Sequence, residues 1–266
     1  MMDRVAVTKM HGARNDFIIL DARTVALDDV SSLARRLCDR HSGIGADGVL
    51  LVGHSACADA SMRVINADGS EAEMCGNGVR CVARYLDERD EGRELLIETL
   101  AGSIHTVVVE RGETYRVRVD VGIPHVMKVK LPLPDAVAVD IGNPHVVLFR
   151  AALGDVAELA ALGEELQHND LFPRGTNVHV AVIVNAHEMR VRHFERGAGL
   201  TMACGTGAVA CVAAANARGT AVSPVTVHVP GGELLIELDA AGRASMTGPA
   251  VHVFDTTIDV RVPNHV

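Results

Sequence analysis

Two cysteines, Cys75 and Cys204, stand in near-copies of one phrase, EMCGNGVRCVARYL and TMACGTGAVACVAAA, in opposite halves of a 266-residue chain. Each is followed by Gly-x-Gly and then by small and apolar residues that can continue as a helix, so each is expected just ahead of a helix N-terminus. Unpaired backbone N–H groups at such a place favour a thiolate and attract an anion. Brought together, the two thiols would face each other across a bound carboxylate. A carbon acid beside a carboxylate is hard to deprotonate, and inverting it needs proton removal on one face and delivery on the other. One thiolate and one thiol meet that need, because a cysteine pKa of about 8.5 can be moved toward operating pH by a helix N-terminus or a neighbouring charge. The Gly-x-Gly segments, which let backbone approach closely, would aim N–H groups at the carboxylate and stabilise the charge that develops as the proton leaves.

Any single cysteine is more simply a small buried hydrophobe. That role is assigned to Cys38, Cys57, Cys81 and Cys211; Cys81 and Cys211 fall six and seven residues after the motif cysteines, beyond the first helical turn. The six cysteines contain no C-x-x-C pair and are sparse for a disulfide scaffold, so they read as reduced thiols in a cytoplasm.

A fixed offset relates the two halves. Cys75 and Cys204 differ by 129 (204 − 75), Asn15 of NDFIIL and Asn143 of NPHVVL by 128 (143 − 15), Asn66 and Glu195 by 129 (195 − 66), and Gly102 and Gly232 by 130 (232 − 102). Landmarks in one order with nearly one offset indicate an internal duplication, and a period this long means paired domains and not a solenoid. The expected fold is α/β (α+β), with RVAVTKM, DFIILD, ELLIETL, SIHTVVVE and YRVRVDV as strands and DDVSSLARRLCDRH as a helix in the first half. In the second half DVAELAALGEELQ is helical, and NVHVAVIV, EMRVRHFE, VTVHVP and ELLIELD are strands. The small, apolar stretches after each cysteine suit burial against a curled sheet. Pro124, Pro132 and Pro134 in GIPHVMKVKLPLP place the boundary there, giving domains 1–122 and 123–252, with about 253–266 returning to the first domain as a closing strand.

Composition excludes several classes. Trp 0, Tyr 2 and Phe 5 offer no base-stacking platform, and a net charge of −9 argues against nucleic acid or an anionic membrane as a general partner. Charges at Asp3, Arg4 and Lys9 break any secretory signal, and no segment approaches the roughly 20 apolar residues of a membrane span. Gly43–Gly48 satisfies G-x-G-x-x-G but follows a helix-like segment and precedes VLLV, the reverse of a dinucleotide site, so it reads as a loop. His187-Glu188 lacks the second histidine of H-E-x-x-H, and the 13 histidines, without ligand spacing, read as surface or strand residues; no metal is expected. Arg14, Arg84 and Arg89 read as solvated or helix-pairing charges.

In order along the chain, HGARNDF, GIGADG, NADGSEAEMCGNGVRC, GNPH, GTNV, ERGAGLTMACGTGA and TGPAVHVF resemble the diaminopimelate epimerase family over nearly the whole length. The resemblance implies a cofactor-free epimerase that interconverts LL- and meso-diaminopimelate, built as two pseudo-symmetric domains, each a barrel-like, mostly antiparallel sheet around a central helix, with the active site in the cleft between them, and assembled as a homodimer. It makes Cys75 and Cys204 the acid/base pair and His145 and Glu195 the tuners of their pKa values. Gly76 with Asn77, and Gly205 with Thr206, match the backbone that holds the reacting carboxylate. Asn15, Asn66, Asn143 and Asn177 resemble the amides that read the substrate, and Glu195 with Arg196 the charged pair at its distal end, where a guanidinium can hold a carboxylate bidentately. Taken singly, an asparagine is a turn or cap residue and Glu195-Arg196 a local ion pair; the neighbouring motifs favour binding.

The chain departs from the family pattern at Gly48, where some members carry a glutamine contact, and at Arg14 and His179, both assigned places outside the cleft. Two other functions fit parts of the pattern. A racemase of the same fold acting on another amino acid, such as histidine, is disfavoured by ERGAG, which supplies an anchor for a second amino acid head. A redox sensor joining Cys75 to Cys204 leaves the paired Gly-x-Gly segments unexplained.

Overall fold

The computed structural model describes residues 4–129, 131 and 133–259, and the chain divides into two compact units, Met1–Val117 with Ala250–Val266, and Arg118–Pro249.

The first unit opens with a hairpin of β1 (Arg4–Gly12) and β2 (Asn15–Asp21). Its two turn residues, Ala13 and Arg14, have φ of 51° and 64°. A two-residue hairpin needs left-handed residues to match the twist of its strands, and L side chains there are strained by about 1–2 kcal/mol each. The helix α1 (Val30–Cys38) starts where the Asp29 side chain accepts the Ser32 N–H at 3.0 Å, and turns Leu33, Ala34, Leu37 and Cys38 inward. After it, β3 (Gly48–Gly53) pairs parallel with β2, and β4 (Ala60–Asn66) antiparallel with β3, which sets Gly48 between Phe17 and Asn66. A short β5 (Glu71–Ala72) leads to α2 (Gly76–Asp87), buried along nearly its whole length. Then β6 (Glu94–Thr99) pairs parallel with β4, and β7 (Gly102–Glu110) folds back on β6.

After β8 (Arg116–Gly122) and β9 (His125–Val126), the second unit repeats that order. A hairpin of β10 (Ala136–Asp140) and β11 (Pro144–Phe149) is followed by α3 (Val156–Gln167), then by β12 (Asn177–Asn185), parallel to β11, and β13 (Glu188–Glu195), antiparallel to β12. A short β14 (Gly199–Thr201) leads to α4 (Gly205–Ala217), whose Ala, Val, Gly and Cys residues are apolar all round and buried accordingly. Next β15 (Val225–Val229) pairs parallel with β13, and β16 (Gly232–Leu238) and β17 (Ala244–Pro249) complete the meander. The last strand, β18 (Val251–Asp259), pairs antiparallel with β1 in the first unit. Residues 260–266 of the expected closing segment, and Lys130 and Pro132 of the expected boundary stretch, lie outside the described residues.

The duplication is written in the strand registers. Phe17↔Gly48 matches His145↔Asn177, and Leu50↔Val64 matches His179↔His193, at offsets of 128 (145 − 17) and 129 (177 − 48, 179 − 50, 193 − 64). Gly102 and Gly232 open equivalent strands with φ of 110° and 142°, a region that glycine adopts freely. This is a duplicated α/β fold with a mostly antiparallel sheet. Of the cysteines assigned to the core, Cys38, Cys81 and Cys211 are buried, but Cys57 is exposed. It lies on the connection between β3 and β4, where the backbone N–H of Cys57 bonds the Ser55 hydroxyl in a local turn, so no apolar neighbour draws it in.

Candidate active site

Cys75 is the N-cap of α2: its backbone is extended (φ −140°, ψ 114°) and its sulfur accepts the Gly78 N–H at 3.4 Å. Glycine at 78 gives Leu50 its place, since a Cβ there would stand 2.9 Å from Cδ2 of Leu50. The thiol also points at Asn15 Oδ1, 3.6 Å away, and the same oxygen accepts the Asn77 amide at 3.1 Å. Asn15 is held in turn by Asp47 of the GIGADG loop, which accepts its Nδ2 at 2.7 Å and the Asp16 N–H at 3.0 Å. Arg40 bridges Asp16 and Asp47 at 2.7 and 2.8 Å, and Lys9 joins Asp16 at 2.5 Å; these cations offset the burial of Asp16 and hold its carboxyl down at about 2. The strained hairpin turn and this charge network together fix Asn15 against the thiol.

Behind Cys75 lies Arg80, fully buried, donating to Asn77 Oδ1 at 2.7 Å and to the Gly76 carbonyl at 3.2 Å. Burial lowers its pKa to about 10, against the opposing influence of Cys81 and Cys75, so the guanidinium remains charged at neutral pH. Gly12 makes room for it: a Cβ at 12 would meet the Asn77 carbonyl at 2.8 Å and the Arg80 guanidinium at 3.0 Å. The residues that hold the Gly76-Asn77 segment were legible only as part of the motif, since a buried arginine has no signature in sequence.

Cys204 repeats the cap on α4, with φ −117°, ψ 112° and the Gly207 N–H donating to its sulfur at 3.4 Å. Thr206 Oγ1 lies 3.6 Å from the same sulfur. Cys204 is buried, and the carboxyl that acts on its thiol is that of Glu195, at the end of β13. Burial pushes the thiol pKa well up, the Glu195 carboxylate and its hydrogen bond push it further, and Thr206 and the Gly207 N–H oppose them. Burial likewise raises Glu195, partly offset by the hydrogen bond from Cys204. A carboxylate of raised basicity that acts on a thiol can take its proton and return it.

The other expected contacts are placed around these caps. In the first unit Asn66 ends β4, with its Nδ2 on Ser70 Oγ at 3.0 Å. In the second, Asn177 ties two segments together, donating to the Pro144 carbonyl at 3.0 Å and accepting the Arg196 N–H at 3.1 Å, which leaves one N–H and one lone pair for other partners. The Arg196 guanidinium is exposed and donates to the Arg174 carbonyl at 3.1 Å. Asn143 Oδ1 lies 2.9 Å from His145 Nε2.

His145 is fully buried and belongs to a group that sequence reasoning missed. His145 Nδ1 lies 2.8 Å from His179 Nε2, and His179 Nδ1 lies 2.8 Å from His193 Nδ1, with all three rings buried. Burial lowers His145 and His193 to about 3 and His179 well below the usual range, so the rings are neutral. The three histidines are on strands, as expected, and face the core, with His179 at the centre of the group. The signal available was the alternation of β12 and β13, which places 179 and 193 inward together with Val191 and Ala181. Gly48 is equally closed: a Cβ there would stand 2.8 Å from the Ile65 carbonyl. Among the described residues no group of three or more His, Cys, Asp or Glu side chains is arranged to hold a metal ion, and no described helix is long and apolar enough to cross a membrane.

The fold is shared with several solved structures. A phenazine biosynthesis protein of the PhzF family from Bacillus anthracis superposes with a TM-score of 0.73 at 18% identity, covering 97% of this chain and 99% of that one. A hydroxyproline epimerase from Agrobacterium vitis gives 0.72 at 16% identity, covering 98% and 94%. Sequence relatives are much nearer: the diaminopimelate epimerase of Moorella thermoacetica is 44% identical, covering 92% of this chain and 96% of that protein. That of Pelotomaculum thermopropionicum is 43% identical, covering 93% and 96%. Residues 7–127 and 137–253 match the family pattern of diaminopimelate epimerase, a span that takes in both capped cysteines, and the chain therefore belongs to the diaminopimelate epimerase family of isomerases.

Proposed function

We infer that the family's reaction, the interconversion of LL- and meso-2,6-diaminopimelate, runs in this chain through two thiols, Cys75 and Cys204, one removing the α-proton as thiolate and the other delivering a proton as thiol. The observation that carries this reading is the repeated cap: each unit places one cysteine sulfur on the third N–H of a buried, glycine-started helix. Such an N-terminus stabilises negative charge both on the sulfur and on a carboxylate bound beside Gly76-Asn77 or Gly205-Thr206.

Glu195 is the proton acceptor that activates Cys204, and His145 with Glu195 tunes the pKa values of the two thiols. Asn15, Asn66, Asn143 and Asn177 read the amino and carboxyl groups of the substrate, and Glu195 with Arg196 anchors its distal end. The domains that carry out the reaction are 1–122, completed by the returning strand, and 123–252. The enzyme works without a cofactor, as a cytoplasmic homodimer, with its six cysteines reduced.

The test is exchange of solvent deuterium. The reduced protein, without added pyridoxal phosphate or metal, is expected to place deuterium at the α-carbon of LL-diaminopimelate and to form the meso isomer. Absence of exchange with all thiols titrating as reduced would end the assignment. Sedimentation of the active enzyme as a monomer would remove the homodimer from it.

A further inference from the structure

The three buried histidines of the second unit form one hydrogen-bonded chain that starts at Asn143. The distances are 2.9 Å from Asn143 Oδ1 to His145 Nε2, 2.8 Å from His145 Nδ1 to His179 Nε2, and 2.8 Å from His179 Nδ1 to His193 Nδ1. Among the described residues, His193 Nε2 is buried without a partner. An amide oxygen only accepts, so His145 carries its proton on Nε2 and presents a lone pair at Nδ1. His179 must then donate from Nε2 and accept at Nδ1, and His193 must donate from Nδ1, leaving a bare lone pair at Nε2. Turning the Asn143 amide would reverse every bond in the chain and leave a buried, unpaired N–H at His193 Nε2, the costlier orphan. A second proton on His145 or His179 would set two N–H groups head to head, and one on His193 would leave a buried N–H without a partner.

The fold does not need this chain. At the equivalent positions of the first unit stand Phe17, Leu50 and Val64, all buried and apolar. A polar network at three positions that the same framework fills with hydrocarbon is retained at a cost in desolvation, which points to use. His179 is also wedged in place, because its ring occupies the room that a side chain on Gly207 would take, with Cε1 2.5 Å from where a Cβ would be. The ring that orients His145 thus packs against the residue whose N–H reaches the Cys204 sulfur.

We propose that His179 and His193 are positioning residues that hold His145 as the Nε2–H tautomer and thereby set the Asn143 amide with its oxygen turned to His145 and its Nδ2–H groups left to donate to a substrate carboxylate. The catalytic consequence rests on the reading of Asn143 as a substrate contact; the tautomers themselves do not. Loss of one oriented hydrogen bond to a charged group corresponds to about tenfold or more in affinity.

Two measurements decide it. In ring-nitrogen NMR of the intact, uniformly labelled protein at neutral pH, His145 and His179 are expected as neutral Nε2–H rings and His193 as a neutral Nδ1–H ring. A charged ring or the reversed set would overturn the proposal. In kinetics with LL-diaminopimelate, His179→Leu is expected to raise KM about tenfold with kcat within about threefold, whereas His179→Gln, whose amide nitrogen can take the place of Nε2, should keep KM within about twofold of the parent. Equal KM in the parent and the leucine variant, or equal loss in both variants, would also overturn it. A parent without turnover would remove the functional reading alone, since the ring spectra would still decide the tautomers.

Discussion

The imidazole of His179 fills the space that Gly207 leaves open: a Cβ at 207 would stand 2.5 Å from its Cε1. In the first unit Leu50 closes on Gly78 in the same way, at 2.9 Å. In each thiol-capped helix a larger third residue would have to displace the side chain beneath it, a hydrocarbon in one unit and a hydrogen-bonded ring in the other.

Gly207→Ala tests that packing. The added methyl must displace a ring held by two hydrogen bonds, so the variant is expected to lose about 1–3 kcal/mol of stability, read as a lower urea midpoint at unchanged m-value. An unchanged midpoint for Gly207→Ala would show that the ring has room to move.

Stability should fall on mild acidification. The buried rings of His145, His179 and His193 have depressed pKa values, down to about 3 for two of them, against an ordinary 6.5. Unfolding below pH 6.5 therefore takes up protons that the folded state does not bind, so their contribution is complete above that pH and is lost as pH falls toward 3. Three such groups give a slope of up to about 4 kcal/mol per pH unit, with Glu195, raised by its own burial, opposing by at most one proton. Denaturant unfolding between pH 7.5 and 5 would detect it, and a flat profile would show that the rings take up protons in the folded state as readily as in the unfolded chain.

The acid/base roles separate by substitution. Cys75→Ser and Cys204→Ser should each lose about two to four orders of magnitude in kcat, since a hydroxyl is a far weaker acid and base at neutral pH than a thiol. Glu195→Gln keeps the shape beside Cys204 but cannot take its proton, so kcat should fall by about 100-fold with a smaller change in KM. Full turnover in either serine variant would exclude the two-base scheme.

Restoring the glutamine that some family members carry at position 48 should not rescue a missing contact. Gly48 lies in register between Phe17 and Asn66, and a Cβ would press on the Ile65 carbonyl at 2.8 Å. Gly48→Gln is expected to lower the melting temperature by several degrees without lowering KM. A variant of parental stability with a lower KM would mean that the strand can shift to admit the side chain.

The sequence by itself determined the duplication, the two cysteine caps and the family, because these depend on local order: a thiol, two glycines and a run of small residues specify a capped buried helix wherever the chain places it. It also singled out Glu195 by its offset from Asn66, and the Glu195 carboxylate raises the pKa of the Cys204 thiol. Only the tertiary structure decided which polar residues lie inside. Arg80 looks like a helix-surface charge until the whole of α2 is enclosed, and His145, His179 and His193 meet only because β11, β12 and β13 lie side by side in one register. The pairing of residues 34 and 14 positions apart carries no local signature, and a buried imidazole is distinguished from an exposed one by what the neighbouring strands bring to it.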